Sequence, residues 1–156
     1  MQRITPCLWF DTQAEQAANF YVSLFEDAEV TNVQRLAGTP SGDNVALLFF
    51  RLAGMEYMAI NGGPQFPFSE AVSFNVNCKD QDEVDRLWSA FTADGGEEGQ
   101  CGWLKDKFGL SWQIIPEQMG ALLSDPDPAR SQRAMQAMLQ MQKIDLKVME
   151  DAANAA

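Results

Sequence analysis

The sequence predicts an α+β protein built from two β-α-β-β-β units and a C-terminal helical tail. Each half of the repeat begins with a short strand-like run, continues into an amphipathic helix and closes with a hairpin. The two hairpins match, because Gly54–Ile60 aligns with Gly109–Ile115, with the glycine in the same place and an aromatic residue three positions later. A pattern of this kind indicates one supersecondary unit used twice.

The first unit covers residues 1–61. It opens with an apolar run at 4–10, which predicts a buried strand. Asp11 or Thr12 can cap the helix that follows, and apolar residues at helical spacing carry this helix to about Phe25. The remaining strands are predicted at 30–36, 45–52 and 55–61, with a loop at 38–43.

A crossing loop, residues 62–70, separates the two units, because it is rich in glycine, proline and phenylalanine. The second unit, residues 71–116, begins with a strand in which apolar and polar side chains alternate. The polar face of that strand consists of Ser73, Asn75 and Asn77. Polar residues on a central strand need water or other partners, and a solvent-filled cavity would supply both.

The second unit continues with a helix and a closing hairpin. Asp80 or Asp82 caps the helix, which ends at Asp94–Gly96. The hairpin spans Gly99–Pro116, and Gly109 can supply the positive φ angle that its turn needs.

Residues 117–156 predict a helical tail. Asp127 is a suitable N-cap because a proline follows it, and Asp145 can start another helix. Methionines such as Met135 and Met138 form an apolar seam that is typical of core or oligomer packing. The tail thus offers an apolar surface for a second copy of the chain.

The composition indicates a single cytoplasmic domain. A chain of 156 residues with 46% hydrophobic residues fits one domain, 1–156, with an ample core. Its net charge of −11 argues against binding to nucleic acid or to an anionic membrane. The three widely spaced cysteines favour a reduced setting. There is no signal-peptide pattern, and no apolar segment approaches the ~20 residues of a membrane span.

Five segments carry a recognisable family pattern: Thr5–Phe10, Phe20–Tyr21, Asn61–Phe66, Gly99–Gln113 and Leu123–Pro128. With these segments, which include an Asp-x-x-Gly-x-x-Trp hairpin, the chain resembles the glyoxalase, or vicinal oxygen chelate, superfamily. It is most similar to the PhnB-like branch, catalogued as 3-demethylubiquinone-9 3-methyltransferase. The resemblance implies the glyoxalase/bleomycin resistance/dioxygenase-like fold and a small-molecule ligand. It also implies a homodimer, because related chains with one pair of units join through strands or helices.

Members of this superfamily usually hold a divalent metal with one residue from the first and one from the last strand of each unit. The resemblance places these four positions at Gln113, Met58, Ser73 and Pro6. A thioether, a proline, a serine and one amide do not form a site for a hard cation. We therefore expect no bound metal and no cofactor.

The family name implies methyl transfer, which in its common form needs a glycine-rich turn directly after a strand of an α/β sheet. Asp94–Gly96 follows a predicted helix, and Asn61–Pro64 leads into a proline-containing loop. Neither context supports that activity.

The chain contains no histidine, which excludes Ser-His-Asp and Cys-His catalysis. Two candidate catalytic residues remain. Cys101, near Lys105, is either a nucleophile with a lowered thiol pKa or a buried structural thiol. Glu56 is either a general base that faces inward or an exposed strand carboxylate.

The predicted ligand pocket is lined by Trp9, Met58, Asn61, Ser73, Asn75, Trp103 and Gln113. The neutral amide of Gln113 suits hydrogen bonding to a ligand carbonyl or hydroxyl, or is satisfied by its own neighbours. The leading hypothesis is a metal-free protein of this superfamily that binds a small molecule. The alternatives are a metal-independent enzyme that uses Cys101 or Glu56, and a structural or interaction protein.

Overall fold

The computed structural model of the protein describes residues 2–37 and 45–155. Its elements are β1 (Cys7–Phe10), α1 (Ala14–Val22), β2 (Glu29–Arg35), β3 (Val45–Leu52), β4 (Met55–Asn61), β5 (Ser73–Cys78), α2 (Gln81–Thr92), β6 (Glu97–Glu98), β7 (Trp103–Lys105), β8 (Ser111–Pro116), α3 (Met119–Leu123), α4 (Pro128–Met138) and α5 (Leu146–Asn154). The chain forms two compact units, Met1–Phe68 and Ser69–Ala156. The boundary lies inside the predicted crossing loop, and the helical tail belongs to the second unit.

The strands of the first unit form one sheet in the order β1-β4-β3-β2. β1 and β4 are parallel, and β3 pairs antiparallel with both β2 and β4. The predicted bounds of β3 and β4 are confirmed, whereas β1 and α1 are shorter than the sequence pattern suggested. The loop predicted at 38–43 lies outside the described residues.

The N-terminus of α1 is stabilised from a distant strand. The predicted caps Asp11 and Thr12 are wrong, because the helix begins at Ala14 and has no side-chain cap from the preceding residue. Instead, Oδ1 of Asn61 accepts a hydrogen bond from the backbone N–H of Ala14 at 2.9 Å. Asn61 is the last residue of β4, so the acceptor that the first helical turn needs comes from across the unit.

The second unit repeats the first. Its sheet has the order β5-β8-β7-β6, and again the first and last strands are parallel neighbours. The predicted cap Asp80 is confirmed, since its carboxylate accepts from the N–H of Glu83 at 2.9 Å. One face of the sheet packs on α2, where the rings of Phe91 and Trp112 stack with centroids 4.4 Å apart.

The helical tail packs as a small core of its own against β8. The predicted caps Asp127 and Asp145 are confirmed, because their carboxylates accept from the N–H groups of Ala129 and Val148. The buried residues of this core are Ala134, Ile144, Met149 and Ala153, with Ile115 of β8 packed against them. Within 2–37 and 45–155, none of the helices has the length and apolar character needed to cross a membrane.

Candidate functional site

The two faces of the second sheet differ in chemistry. Trp112 and Leu104 are buried on the face that α2 covers. Side chains alternate along a strand, so the neighbouring residues project from the opposite side. We call that side the Gln113 face and define it by Ser73, Asn75, Trp103, Lys105, Ser111 and Gln113. Four of the predicted pocket residues therefore lie on one surface.

Hydrogen-bonding groups on the Gln113 face form an ordered row. Nε2 of Gln113 donates to Oγ of Ser73 at 3.0 Å. Ser73 lies directly opposite Ser111 in the parallel pairing of β5 with β8. Ser111 is only 1% exposed, and among the described residues its Oγ has no hydrogen-bond partner. The face thus combines a satisfied amide with a buried hydroxyl that is not satisfied.

A lysine completes the row. Lys105 lies opposite Ser111 in the antiparallel pairing of β7 with β8, and its Nζ forms an ion pair with Glu70. The ion pair raises the pKa of Lys105, and it lowers the pKa of the Glu70 carboxyl. The positive charge is therefore held on the same side of the sheet as the unsatisfied hydroxyl.

Sequence reasoning did not identify Ser111 as a site residue and considered Lys105 only beside Cys101. The signal was present, because Ser111 lies two residues before Gln113 in a strand whose other residues are apolar. The alternation of side chains found in β5 also applies to β8, and it would have placed the side chains of Ser111 and Gln113 on one face of that strand. Their burial and partners, however, depend on the strand pairing.

In the first unit, Trp9 and Met58 project from the sheet face that α1 does not cover. Trp9 is engaged by the loop that follows β4. Its Nε1 donates to the carbonyl of Gly63 at 2.9 Å, and its ring meets that of Phe66 edge-on, with centroids 5.0 Å apart. A Cβ atom on Gly62 would come within 2.2 Å of the indole, which explains the glycine there. Trp9 thus has a structural role in this loop.

Asn61 does not join Met58, although both were predicted to line the pocket. The two residues are separated by three positions on β4, and an odd separation places side chains on opposite faces of a strand. Asn61 is buried on the α1 side, where it caps that helix.

Glu56 lies on the same face as Met58 and is exposed. Its backbone N–H and C=O are both bonded by the side-chain amide of Gln2. Arg51 lies directly opposite, but its guanidinium pairs with Asp27 and Glu29. Glu56 was predicted to be either an inward-facing general base or an exposed strand carboxylate. Its exposure agrees with the second alternative.

Cys101 lies in the turn between β6 and β7, against the helical tail. Its N–H donates to the carbonyl of Met141 at 2.8 Å, and its Sγ is 3.6 Å from the carbonyl oxygen of Met138. The cation that was expected to activate it, Lys105, is paired with Glu70. The contacts of Cys101 are those of a structural thiol, and its catalytic role stays a prediction.

The donor set does not fit the metal that the superfamily resemblance implies. The strand registers match Cys7 with Asn75, which makes Thr5, and not Pro6, the counterpart of Ser73. The hydroxyl of Thr5 adds a neutral oxygen but no carboxylate or imidazole, and the amide of Gln113 already bonds Ser73. Within 2–37 and 45–155, no three His, Cys, Asp or Glu residues come together in a group that could hold an ion.

Two sheets of equivalent strand order, each with its first and last strands paired in parallel, define an α+β protein of paired βαβββ units. A family model described as 3-demethylubiquinone-9 3-methyltransferase matches residues 2–115. The chain belongs to this family, as the match over most of its length shows.

Solved structures agree with this assignment. A PhnB protein from Bacillus cereus is 32% identical, has a TM-score of 0.69, and the match covers 74% of this chain and 99% of that one. A protein from Pseudomonas aeruginosa is 20% identical with a TM-score of 0.62, covering 75% and 98% of the two chains. A gene product from Arabidopsis thaliana is also 20% identical, with a TM-score of 0.50 and coverage of 75% and 99%. The last two support the fold alone. No curated protein matches the chain.

Proposed function

We propose that the protein binds a small organic molecule at the Gln113 face without a metal ion. The observation that carries this proposal is the buried hydroxyl of Ser111, which lacks a partner among the described residues and lies beside the bonded pair of Gln113 and Ser73. A buried polar group without a partner costs about 1–3 kcal/mol. Such a group calls for an explanation, and we assign it to a ligand that bonds it.

The remaining groups of the face suit an oxygen-containing ligand. Gln113 uses Nε2 for Ser73, which leaves its Oε1 to accept a hydrogen bond. The hydroxyls of Ser73 and Ser111 can each donate. Trp103 lies directly opposite Gln113 and adds an aromatic ring, so the face offers a few polar groups beside an apolar one, as ligand sites usually do.

We do not propose the methyl transfer that the family name suggests. Gly62 and Gly63 follow β4, but the segment between them and β5 contains no helix. Gly95 and Gly96 join α2 to β6. Neither pair forms the strand, glycine turn and helix that bind a nucleotide-like methyl donor in the common methyltransferases.

A binding panel with one substitution tests the proposal. The probes are acetoin, lactamide, salicylamide, lactate and salicylate, which combine hydroxyl, carbonyl, amide and carboxylate oxygens on aliphatic or aromatic frames. We expect at least one of them to bind in isothermal titration calorimetry. Gln113→Leu should then weaken its affinity by up to about tenfold, the value of one or two neutral hydrogen bonds.

The matched control is Gln132→Leu, because Gln132 is exposed on α4 in the tail. It should leave the affinity unchanged. Affinity that is equal in the wild type and in Gln113→Leu would remove Gln113 from the site. The proposal as a whole is wrong if no probe binds.

We also propose that the protein is a cytoplasmic homodimer. The compartment is supported by the cysteines, because none of the three forms a disulfide, which suits a reducing environment.

The tail supports the dimer, because Met135, Leu139 and Val148 are large apolar residues that are 44%, 54% and 49% exposed. Light scattering after size exclusion should give twice the chain mass, and Leu139→Glu should shift the mass to that of the monomer. A monomeric wild type contradicts the dimer.

A further inference from the structure

The ion pair between Lys105 and Glu70 is formed by the residue of β7 that lies opposite Ser111. Ser73, Ser111 and Lys105 form a row across three adjacent strands, β5, β8 and β7. Glu70 precedes Ser73, the member of the row on β5, by three residues. The salt bridge therefore joins β7, at the residue opposite Ser111, to the segment just before β5.

This bridge is built from exposed groups that can change partners at little cost. The side chain of Lys105 is 38% exposed and that of Glu70 is 60% exposed. Ion pairs of such exposure contribute little to stability, because water solvates both partners well when they separate. A second carboxylate that reaches Lys105 can therefore replace Glu70, and Glu70 then turns to solvent.

The charges around Lys105 affect how strongly it binds a second carboxylate. Glu97 faces it from β6, but Glu97 affects the pKa of Lys105 less than Glu70 does. The net charge of −11 repels anions at a distance. A preference for acids must therefore come from the short-range contact with Lys105, where an ionised acceptor forms a stronger hydrogen bond than a neutral one.

We propose that the ligand of the Gln113 face is a small hydroxy acid whose carboxylate displaces Glu70 from Lys105. This rests on the function proposed above and adds the chemical class of the ligand. The carboxylate pairs with the ammonium group of Lys105, and a second ligand oxygen bonds the hydroxyl of Ser111, which lies opposite Lys105 in the strand pairing. Glu70 acts as an internal competitor that occupies Lys105 until an acid arrives.

Matched acids and amides test this exchange. Lactate is compared with lactamide and salicylate with salicylamide, since in each pair an uncharged NH2 group replaces the charged oxygen and the rest of the molecule is the same. Titration calorimetry of the full chain should show the acid binding about tenfold more tightly than its amide. Lys105→Met should reduce that preference to within about twofold. Glu70→Gln should strengthen binding of the acid by up to about fivefold, because the competitor is lost.

The control pair is Lys147 and Asp151, a salt bridge of the same kind on the tail. Lys147→Met removes one positive charge, as Lys105→Met does, and Asp151→Asn removes one negative charge, as Glu70→Gln does. Both control variants should leave the affinities for the acid and for the amide unchanged. Amides that bind as tightly as acids, or a preference that survives Lys105→Met, would overturn this inference while the binding site stands. If neither acids nor amides bind, both proposals fall.

Discussion

Asp106 accepts a hydrogen bond from the indole of Trp112 at 2.9 Å, and this contact explains the Asp-x-x-Gly-x-x-Trp pattern of the closing hairpin. The other carboxylate oxygen accepts from the N–H groups of Phe108 and Leu110. Gly109 lies between them with a φ of 88°. The carboxylate thus holds the turn and anchors the ring that packs on α2, so the family signature in this chain is structural.

Asp106→Asn should destabilise the second unit by about 1–3 kcal/mol. The side chain is 2% exposed, and the amide would direct an N–H group at one of the donors that the carboxylate now satisfies. Urea denaturation followed by tryptophan fluorescence measures the change. Asp94→Asn is the control, because Asp94 is exposed with a φ of 55° that asparagine tolerates well. Equal midpoints for the two variants would contradict the role of Asp106.

The sequence pattern was sufficient to predict the two repeated units, but it did not predict the long-range contacts within them. Alternation and glycine placement depend on neighbouring residues, so β3, β4 and the caps Asp80 and Asp127 could be predicted. The cap of α1 could not be predicted, because Asn61 is 47 positions from Ala14. The parallel pairing of β1 with β4 brings Asn61 close to the start of the helix.

Asn61→Ala should therefore lower the stability of the first unit rather than ligand binding. The substitution removes the acceptor of the Ala14 N–H inside the protein, which should cost about 1–3 kcal/mol. Chemical denaturation measures the loss. Asn19→Ala, on the exposed side of α1, should have little effect. Loss of ligand affinity without loss of stability would restore Asn61 to the pocket.

Cys78 should make stability fall at alkaline pH. Burial, with a smaller effect of nearby Glu83, raises the pKa of its thiol to about 12 from 9.0. Between these values the thiol ionises in the unfolded chain but keeps its proton in the folded one. The folded state therefore binds more protons, and the free energy of unfolding declines as the pH rises above 9, by at most about 1.4 kcal/mol per pH unit.

The comparison of wild type with Cys78→Ala isolates this effect, because the other alkaline groups are present in both proteins. The stability advantage of the wild type should be constant from pH 6 to 8 and shrink from pH 9 to 10.5 in urea titrations. An advantage that is unchanged over the whole range would show that Cys78 does not couple ionisation to folding.

The turn at Cys101 should tolerate glycine better than valine. Its φ of 57° is uncommon for a side-chain-bearing residue and costly for a β-branched one. We expect Cys101→Gly to retain wild-type stability and Cys101→Val to lose about 1–3 kcal/mol. Cys7→Val is the control, because Cys7 lies in β1, where a β-branched residue is favoured. Chemical denaturation measures both changes, and equal stability of Cys101→Val and the wild type would contradict the role of this φ angle.

The candidate site itself could be predicted only in part. Ser73 and Asn75 follow from the alternation in β5 and Gln113 from the family resemblance, but the unsatisfied state of Ser111 depends on which strands flank β8 and on what reaches it. A hydroxyl looks the same in a sequence whether it is bonded or not. Its cost appears only when the fold removes it from water, and a sequence pattern does not show that burial.

Ser111→Ala should raise stability and lower affinity together. Removing a buried hydroxyl without a partner relieves its desolvation penalty, so the free energy of unfolding should increase by about 1 kcal/mol. The same change removes a donor for the ligand and should weaken binding of the tightest probe by up to about tenfold. Ser89→Ala, an exposed position on α2, should not affect binding. If Ser111 had a structural role, Ser111→Ala would lower the free energy of unfolding. If Ser111 had no role, the substitution would raise the free energy of unfolding and leave the ligand affinity unchanged. Only the opposite signs of the two changes identify a hydroxyl that the protein retains for its ligand.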